Sequence, residues 1–165
     1  MSLGLYLHIP YCFSKCRYCD FYSHPGERGV PEAYVDALLR ELSRFAPEAP
    51  LQPDTLYFGG GTPSLLRPEQ AKRLIDAARP MPGAEITLEA NPETVTEESL
   101  AGFREAGVNR ISFGVQSARD TQLRTLGRPH TAKQARAAFA AARRAGFANI
   151  SGDIMLALPH YTEAE

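Results

Sequence analysis

A partial (β/α) barrel of parallel strands, with about five βα units, is the α/β fold class that these 165 residues predict. Three observations carry that prediction. Short apolar or alternating runs alternate strictly with stretches of helical periodicity, which implies parallel strands joined by right-handed crossovers. Each strand run finishes in residues unsuited to a core: a cysteine loop, a triple glycine, Glu89 with Asn91, Gln116 and Asp153. A barrel assembles its site from several strand ends on one rim, whereas an open doubly wound sheet gathers ligand contacts at one switch point, so endings spread over five strands favour the barrel.

Leu3-Gly-Leu-Tyr-Leu-His-Ile9 is an apolar run halted by Pro10 and reads as a buried strand leading into the cysteine loop. Pro31 opens a helix at its first position, with Tyr34, Val35, Leu38, Leu39, Leu42 and Phe45 on one stripe. Thr55–Phe58 is the second strand and ends in Gly59-Gly60-Gly61-Thr62-Pro63; Pro68 starts a helix with Ala71, Leu74, Ile75 and Ala78 at helical spacing. Glu85–Glu89 alternates as a strand and is cut at Pro92. Thr94 and Glu97 have capping-box spacing for the next helix, which turns Leu100 and Phe103 inward and stops at Gly107. Arg110–Gln116 is the fourth strand, and a short helix over Asp120–Leu126 leads to Gly127-Arg128-Pro129-His130. Thr131 with Gln134 opens an alanine-rich helix ending at Gly146, and Asn149–Leu156 is the fifth strand, followed by Pro159 and a polar end.

With 44% hydrophobic residues and a formal charge of −1, the composition is that of one ordinary globular domain, long enough to bury a core. No Lys/Arg run forms the stripe of a nucleic-acid binder, so nucleic acid is not an expected partner. No apolar stretch approaches the ~20 residues of a membrane span, and the first residues lack a charged region followed by an apolar one. Free thiols suit a reducing compartment, so a cytoplasmic location is expected.

The chain is organised around Cys12-Phe13-Ser14-Lys15-Cys16-Arg17-Tyr18-Cys19, a C-x3-C-x2-C spacing. The three cysteines are the whole complement of the chain, and an odd number argues against a disulfide framework and for metal or cluster binding. Structural zinc takes four ligands, commonly from two spaced pairs; no second pair exists, although His8 or His24 would complete a Cys3His set. An iron–sulfur cube usually takes four thiolates, so three would leave one iron with an open position.

This spacing, with an aromatic before the third cysteine, resembles the signature of the radical S-adenosylmethionine (SAM) superfamily. The resemblance implies a [4Fe–4S] cluster held by Cys12, Cys16 and Cys19, with the open iron chelated by the amino and carboxylate groups of the methionine part of SAM. In that family, electron transfer from the reduced cluster cleaves the sulfonium and releases a 5'-deoxyadenosyl radical, while the protein supplies placement and shielding. It also implies a barrel of the radical SAM type.

Elsewhere the residues leave two readings open. The triple glycine brings bare backbone close to a ligand or simply makes a tight turn, and it is no P-loop, since no Gly-Lys-Ser/Thr follows. Glu89 in an apolar strand needs partners, which a hydroxyl-rich ligand would supply, or else it sits at an exposed strand end. Gln116, Arg128 and Asp153 pose the same question, Arg128 and Asp153 also suiting an ion pair.

Tyr6-Leu-His-Ile-Pro-Tyr-Cys12, Cys19-Asp-Phe21, Gly59-Gly-Gly-Thr-Pro-Ser-Leu65, Glu89-Ala-Asn-Pro92, Ser112-Phe-Gly-Val-Gln-Ser117, Leu126-Gly-Arg128 with His130, and Asp153 followed by Leu158-Pro159 together resemble the oxygen-independent coproporphyrinogen III oxidase-like group. They run in that group's order over nearly the whole chain. The resemblance implies that Tyr6, Tyr18, Gly60, Gly61, Thr62, Glu89, Gln116, Arg128 and Asp153 line the SAM site, Glu89 at the ribose hydroxyls and the glycines at the methionine end. True oxidases of the group carry a further cysteine two residues after the third, where Phe21 stands here. Cys-Asp-Phe is similar to the heme-chaperone branch, which binds heme and passes it to respiratory proteins. A heme chaperone is therefore the expected function. An oxidase that decarboxylates coproporphyrinogen III to protoporphyrinogen IX is the second expectation, and a structural zinc domain the third.

The implied partners are SAM, heme or a porphyrinogen, an electron-donor protein and a heme acceptor. Proteins resembling this chain continue well beyond residue 165. Residues 1–165 are accordingly expected to be the N-terminal portion of a radical SAM core, without its closing strands, its C-terminal domain or its heme site.

Overall fold

The computed structural model describes residues 2–45, 51–158 and 161. Five parallel strands form one sheet: β1 (Gly4–Ile9), β4 (Thr55–Gly60), β5 (Glu85–Ala90), β6 (Arg110–Gln116) and β7 (Asn149–Ile154), hydrogen-bonded in that order. Helices α1 (Glu32–Phe45), α2 (Pro68–Ala78), α3 (Glu97–Ala106), a short α4 (Asp120–Leu126) and α5 (Ala132–Arg144) fill the connections. Because each strand adds beside its predecessor, the sheet has no point where the order reverses. This is the sequential winding of a barrel rather than the switch point of a doubly wound sheet.

Alternation along the strands separates two faces. Leu7, Ile9, Leu56, Phe58, Ile86, Leu88, Ile111 and Phe113 are buried, in one core with Leu74, Leu100, Phe103, Ala142 and Phe147. The intervening positions carry Tyr6, His8, Tyr57, Thr87, Glu89, Arg110, Ser112, Ser151 and Asp153. Their polar groups bond to one another. Arg110 donates to Thr87 Oγ1 at 3.2 Å and to Ser151 Oγ at 2.9 Å, and Ser151 Oγ donates to Ser112 Oγ at 2.8 Å.

Three local expectations are corrected. The capping box of α3 lies two residues later than Thr94 and Glu97: Ser99 N–H donates to Thr96 Oγ1 at 3.1 Å and Thr96 N–H to Ser99 Oγ at 2.9 Å. Thr94 instead belongs to a 3-10 turn, Pro92–Thr94, where its hydroxyl bonds Ser64 Oγ and the Asn91 carbonyl. Ser99 takes the reciprocal role that glutamate or glutamine usually fills, so spacing to an acidic residue misplaced the start. Phe45 is 74% exposed; it keeps the angular position of the stripe but is the last residue of α1. The fifth strand stops at Ile154, since its pairing with β6 ends at Gln116.

A two-residue parallel pairing, β2 (Tyr11–Cys12) with β3 (His24–Pro25), folds the cysteine segment back on itself, too short to show in any periodicity. Pro159 lies outside the described residues. Among those described, no helix is long and apolar enough to cross a membrane.

Replacing Thr96 by alanine removes the α3 cap and is expected to cost about 1 kcal/mol in urea denaturation; an unchanged midpoint would place the helix start elsewhere.

Candidate functional site

The ends of all five strands except β1 border one cavity of about 490 Å³, within the range of cofactor pockets. Cys12, Cys16 and Cys19 line it together with Tyr18, Gly60, Gly61, Thr62, Glu89, Gln116, Arg128 and Asp153. Of the residues expected at the site, only Tyr6 is not on its wall. Tyr6 lies on β1, its ring stacked on Tyr57 with centroids 6.0 Å apart and its hydroxyl 3.2 Å from His8 Nδ1. It therefore reaches the cavity only through Tyr57, whose hydroxyl donates to Glu89 Oε1 at 2.7 Å.

Backbone bonds fix the cysteine segment from three sides. Thr62 N–H donates to Tyr11 O at 2.8 Å, Glu27 N–H to Cys12 O at 3.1 Å and Arg17 N–H to Leu126 O at 3.0 Å. Lys15 Nζ closes the loop on itself through Phe21 O at 3.1 Å. The glycines make the close approach possible. A Cβ on Gly61 would lie 2.6 Å from Tyr11 O and 2.9 Å from Cys12 Sγ, and Gly60 adopts φ +117°, which L side chains rarely tolerate.

Glu89 finds its partners inside the protein. Besides Tyr57, Gly60 N–H donates to its second oxygen at 3.3 Å. A carboxylate offers roughly four acceptor positions, so capacity remains for a ligand. Burial, and then the bond to Glu89, push the Tyr57 phenol well above its usual range. A raised phenol pKa stabilises the fold fully below the unfolded value of about 10 and loses that contribution as pH rises through the folded value. Tyr57→Phe is thus expected to cost roughly 1 kcal/mol at neutral pH, with the difference in Tm from the parent chain narrowing above about pH 10. A constant gap across that range would refute the coupling.

At the end of β6 the register shifts between Gly114 and Gln116, a bulge at which Gln116 takes φ +65°. This left-handed conformation is costly for a side chain other than glycine, and it occurs where Gln116 meets the cavity. His130, with its side chain fully buried, holds the bulge: Nε2 is 3.1 Å from Val115 O and Nδ1 3.1 Å from Glu93 Oε2.

Arg128 does not form the pair with Asp153 that was one of its two readings. Its Nη1 donates to Cys16 Sγ at 3.2 Å, and its Nη2 to Asn91 Oδ1 at 2.6 Å and Gly114 O at 2.5 Å. Burial opposes its charge, but the Cys16 bond with Tyr18 and Glu93 nearby raises its pKa overall. Burial likewise pushes the Tyr18 phenol up to about 12, with Arg128 opposing and the Cys16 and Cys19 thiols adding to the rise.

The sequence reading placed Asn91 on the rim without a role, and it missed Ser23 as a site residue. Asn91 follows Glu89 by two and bridges Arg128 to Thr62 Oγ1, the latter at 3.1 Å. Ser23 sits beyond the cysteine spacing and reaches the cavity only because the chain folds back at β3.

Two features test what the cavity suits. Among the described residues, the buried side-chain polar atoms without a partner are Ser23 Oγ and Arg128 Nε, and both residues line this cavity. Orphaned buried donors are rare unless a ligand satisfies them. Also among the described residues, no three His, Cys, Asp or Glu side chains gather as one metal ion requires. A cube, in which each thiolate binds its own iron, needs three thiols around a common space rather than at one point.

A sequence model of the radical SAM superfamily matches residues 6–165. The chain belongs to the radical SAM superfamily. Membership implies a [4Fe–4S] cluster and SAM, and the three thiols, bare glycines and orphaned donors of the cavity fit them. Among curated proteins it is similar to the heme chaperone HemW of Escherichia coli, 43% identical over 163 residues that cover 95% of this chain and 43% of that protein. The heme chaperone HemW of Bacillus subtilis is 41% identical, covering 95% and 43%. Among solved structures, the E. coli coproporphyrinogen III oxidase HemN, described as a radical SAM enzyme, superposes with a TM-score of 0.86 at 31% identity, covering 98% of this chain and 38% of that one. This radical SAM chain thus spans under half the length of the relatives it matches.

Proposed function

We propose that residues 1–165 form a radical SAM core that binds a [4Fe–4S] cluster and SAM, and that the protein acts in heme trafficking as a heme chaperone. The observation that carries the chaperone reading is Phe21, which lines the cavity two residues after Cys19, where oxidases of the group have a fourth cysteine. Identity of about 40% to heme chaperones over nearly the whole chain supports the same reading.

Cys12, Cys16 and Cys19 would hold the cluster. Gly60, Gly61 and Thr62 would present backbone and hydroxyl groups to the methionine end of SAM, and Glu89 and Gln116 would receive the ribose hydroxyls. Tyr18 and Phe21 would exclude water from the cluster side. Bound together, cluster and SAM supply 5'-deoxyadenosyl radical chemistry. The further partners in this reading are heme, an electron-donor protein and a heme-accepting protein, in a reducing cytoplasm that keeps the three thiols free.

The likeness to the coproporphyrinogen oxidase fold at 31% identity favours oxidative decarboxylation of coproporphyrinogen III as the second reading. One experiment separates them. The anaerobically reconstituted whole protein is incubated with heme, and separately with coproporphyrinogen III, SAM and reductant. Retention of heme with no protoporphyrinogen IX is expected; steady product formation would overturn the chaperone reading.

A further inference from the structure

We propose that Arg128 sets the reduction potential of the cluster held by Cys12, Cys16 and Cys19, by donating an N–H···S bond to Cys16 and fixing a buried positive charge beside it. This inference rests on the cluster occupancy proposed above, but it concerns electron affinity, not SAM contact.

Arg128 is 9% exposed, and its Nη1 stands 3.2 Å from Cys16 Sγ, a residue 112 positions away in sequence. The guanidinium cannot swing off, because Nη2 is held by both Asn91 Oδ1 and Gly114 O. The seat exists because residue 114 is glycine: a Cβ there would lie 2.8 Å from Nη2 and 3.0 Å from Asn91 Oδ1. The cysteine loop is drawn to the same corner by Arg17 N–H on Leu126 O, two residues before Arg128. The nearby Glu93 carboxylate is hydrogen-bonded to His130 and helps to keep Arg128 charged, while the Nη1 donor of Arg128 is directed at the sulfur.

Reduction adds one negative charge to a cluster and its thiolates. A buried cation and a hydrogen bond to a ligating sulfur both stabilise the reduced form, so they raise the potential. Such a bond to a charged group is large enough to change the reduced-to-oxidised ratio roughly tenfold.

The test is an EPR-monitored redox titration of the reconstituted chain without SAM, so that loss of a SAM contact cannot contribute. Arg128→Met, which removes charge and donor, is expected to leave roughly tenfold less reduced cluster at a given poise. Arg128→Lys keeps the charge but not the planar fork, and Arg128→Gln keeps a donor but not the charge; both are expected to fall between. Pulsed EPR on the unaltered sequence labelled with 15N-arginine gives an answer independent of variant folding. A weak coupling between the reduced cluster and an arginine nitrogen is expected, and it should persist in Arg17→Lys. Unchanged potentials in loaded variants, or no arginine coupling, overturn the inference while leaving the cluster assignment in place. A chain that takes up no cluster overturns both.

Discussion

Alanine in place of Cys12, Cys16 or Cys19 is expected to abolish retention of the cluster while the domain stays folded. The parent chain, reconstituted anaerobically, should carry about four irons and show a cubane EPR signal that shifts on adding SAM. Each single variant should lose that signal, with iron near background, because two thiolates cannot hold a cube against exchange with solvent thiols. The fold does not depend on these side chains. Cys16 and Cys19 are partly exposed, and the core lies on the other side of the sheet among Leu56, Phe58, Leu88 and Phe113. Cys12 is the buried one and should show the largest fall in Tm of the three. A cysteine variant that keeps full iron and sulfide would sink the assignment, as would one zinc per chain in the parent protein.

Gly61→Ala is expected to be nearly as damaging by a different route. Its new methyl would sit 2.6 Å from the Tyr11 carbonyl oxygen, which is backbone already held by Thr62 N–H, and 2.9 Å from Cys12 Sγ. The carbonyl cannot move without its backbone, so the cysteine segment must shift. A penalty of about 1–3 kcal/mol in urea denaturation and a large drop in cluster loading should follow. Gly29→Ala is the control: its Cβ would meet only Leu65 O, at 3.9 Å, so its stability should stay within about 0.5 kcal/mol. Equal effects of the two substitutions would mean that the close packing at Gly61 does not position the cysteines.

Much of the fold was legible because it rests on local periodicity. Alternation in Glu85–Glu89 and the 3.6-residue spacing of Leu74, Ile75 and Ala78 each follow from which face a side chain takes, and the fold has both elements. The errors came where two local solutions were nearly equal in energy. Thr94 and Thr96 both offer a hydroxyl to a nearby backbone, and only the packing of Thr94 against Ser64 selects Thr96 as the cap. Arg128 could be read as a partner of Asp153, since opposite charges at two strand ends suit each other. No spacing rule foretells that a guanidinium will prefer Cys16, Asn91 and a carbonyl.

What the sequence determined by itself is the order of elements, the barrel-type winding and the set of thiols offered as ligands. Strand and helix periods, glycine positions and three thiols at fixed spacing are properties of neighbouring residues. What only the tertiary structure decided is which distant groups share the cavity: Ser23 inside it, Tyr6 one residue removed, and Arg128 on Asn91 and the sulfur of Cys16. Those outcomes depend on the sheet register and on the bulge at Gly114–Gln116. A shift of one residue in either would turn the same side chains to the opposite face.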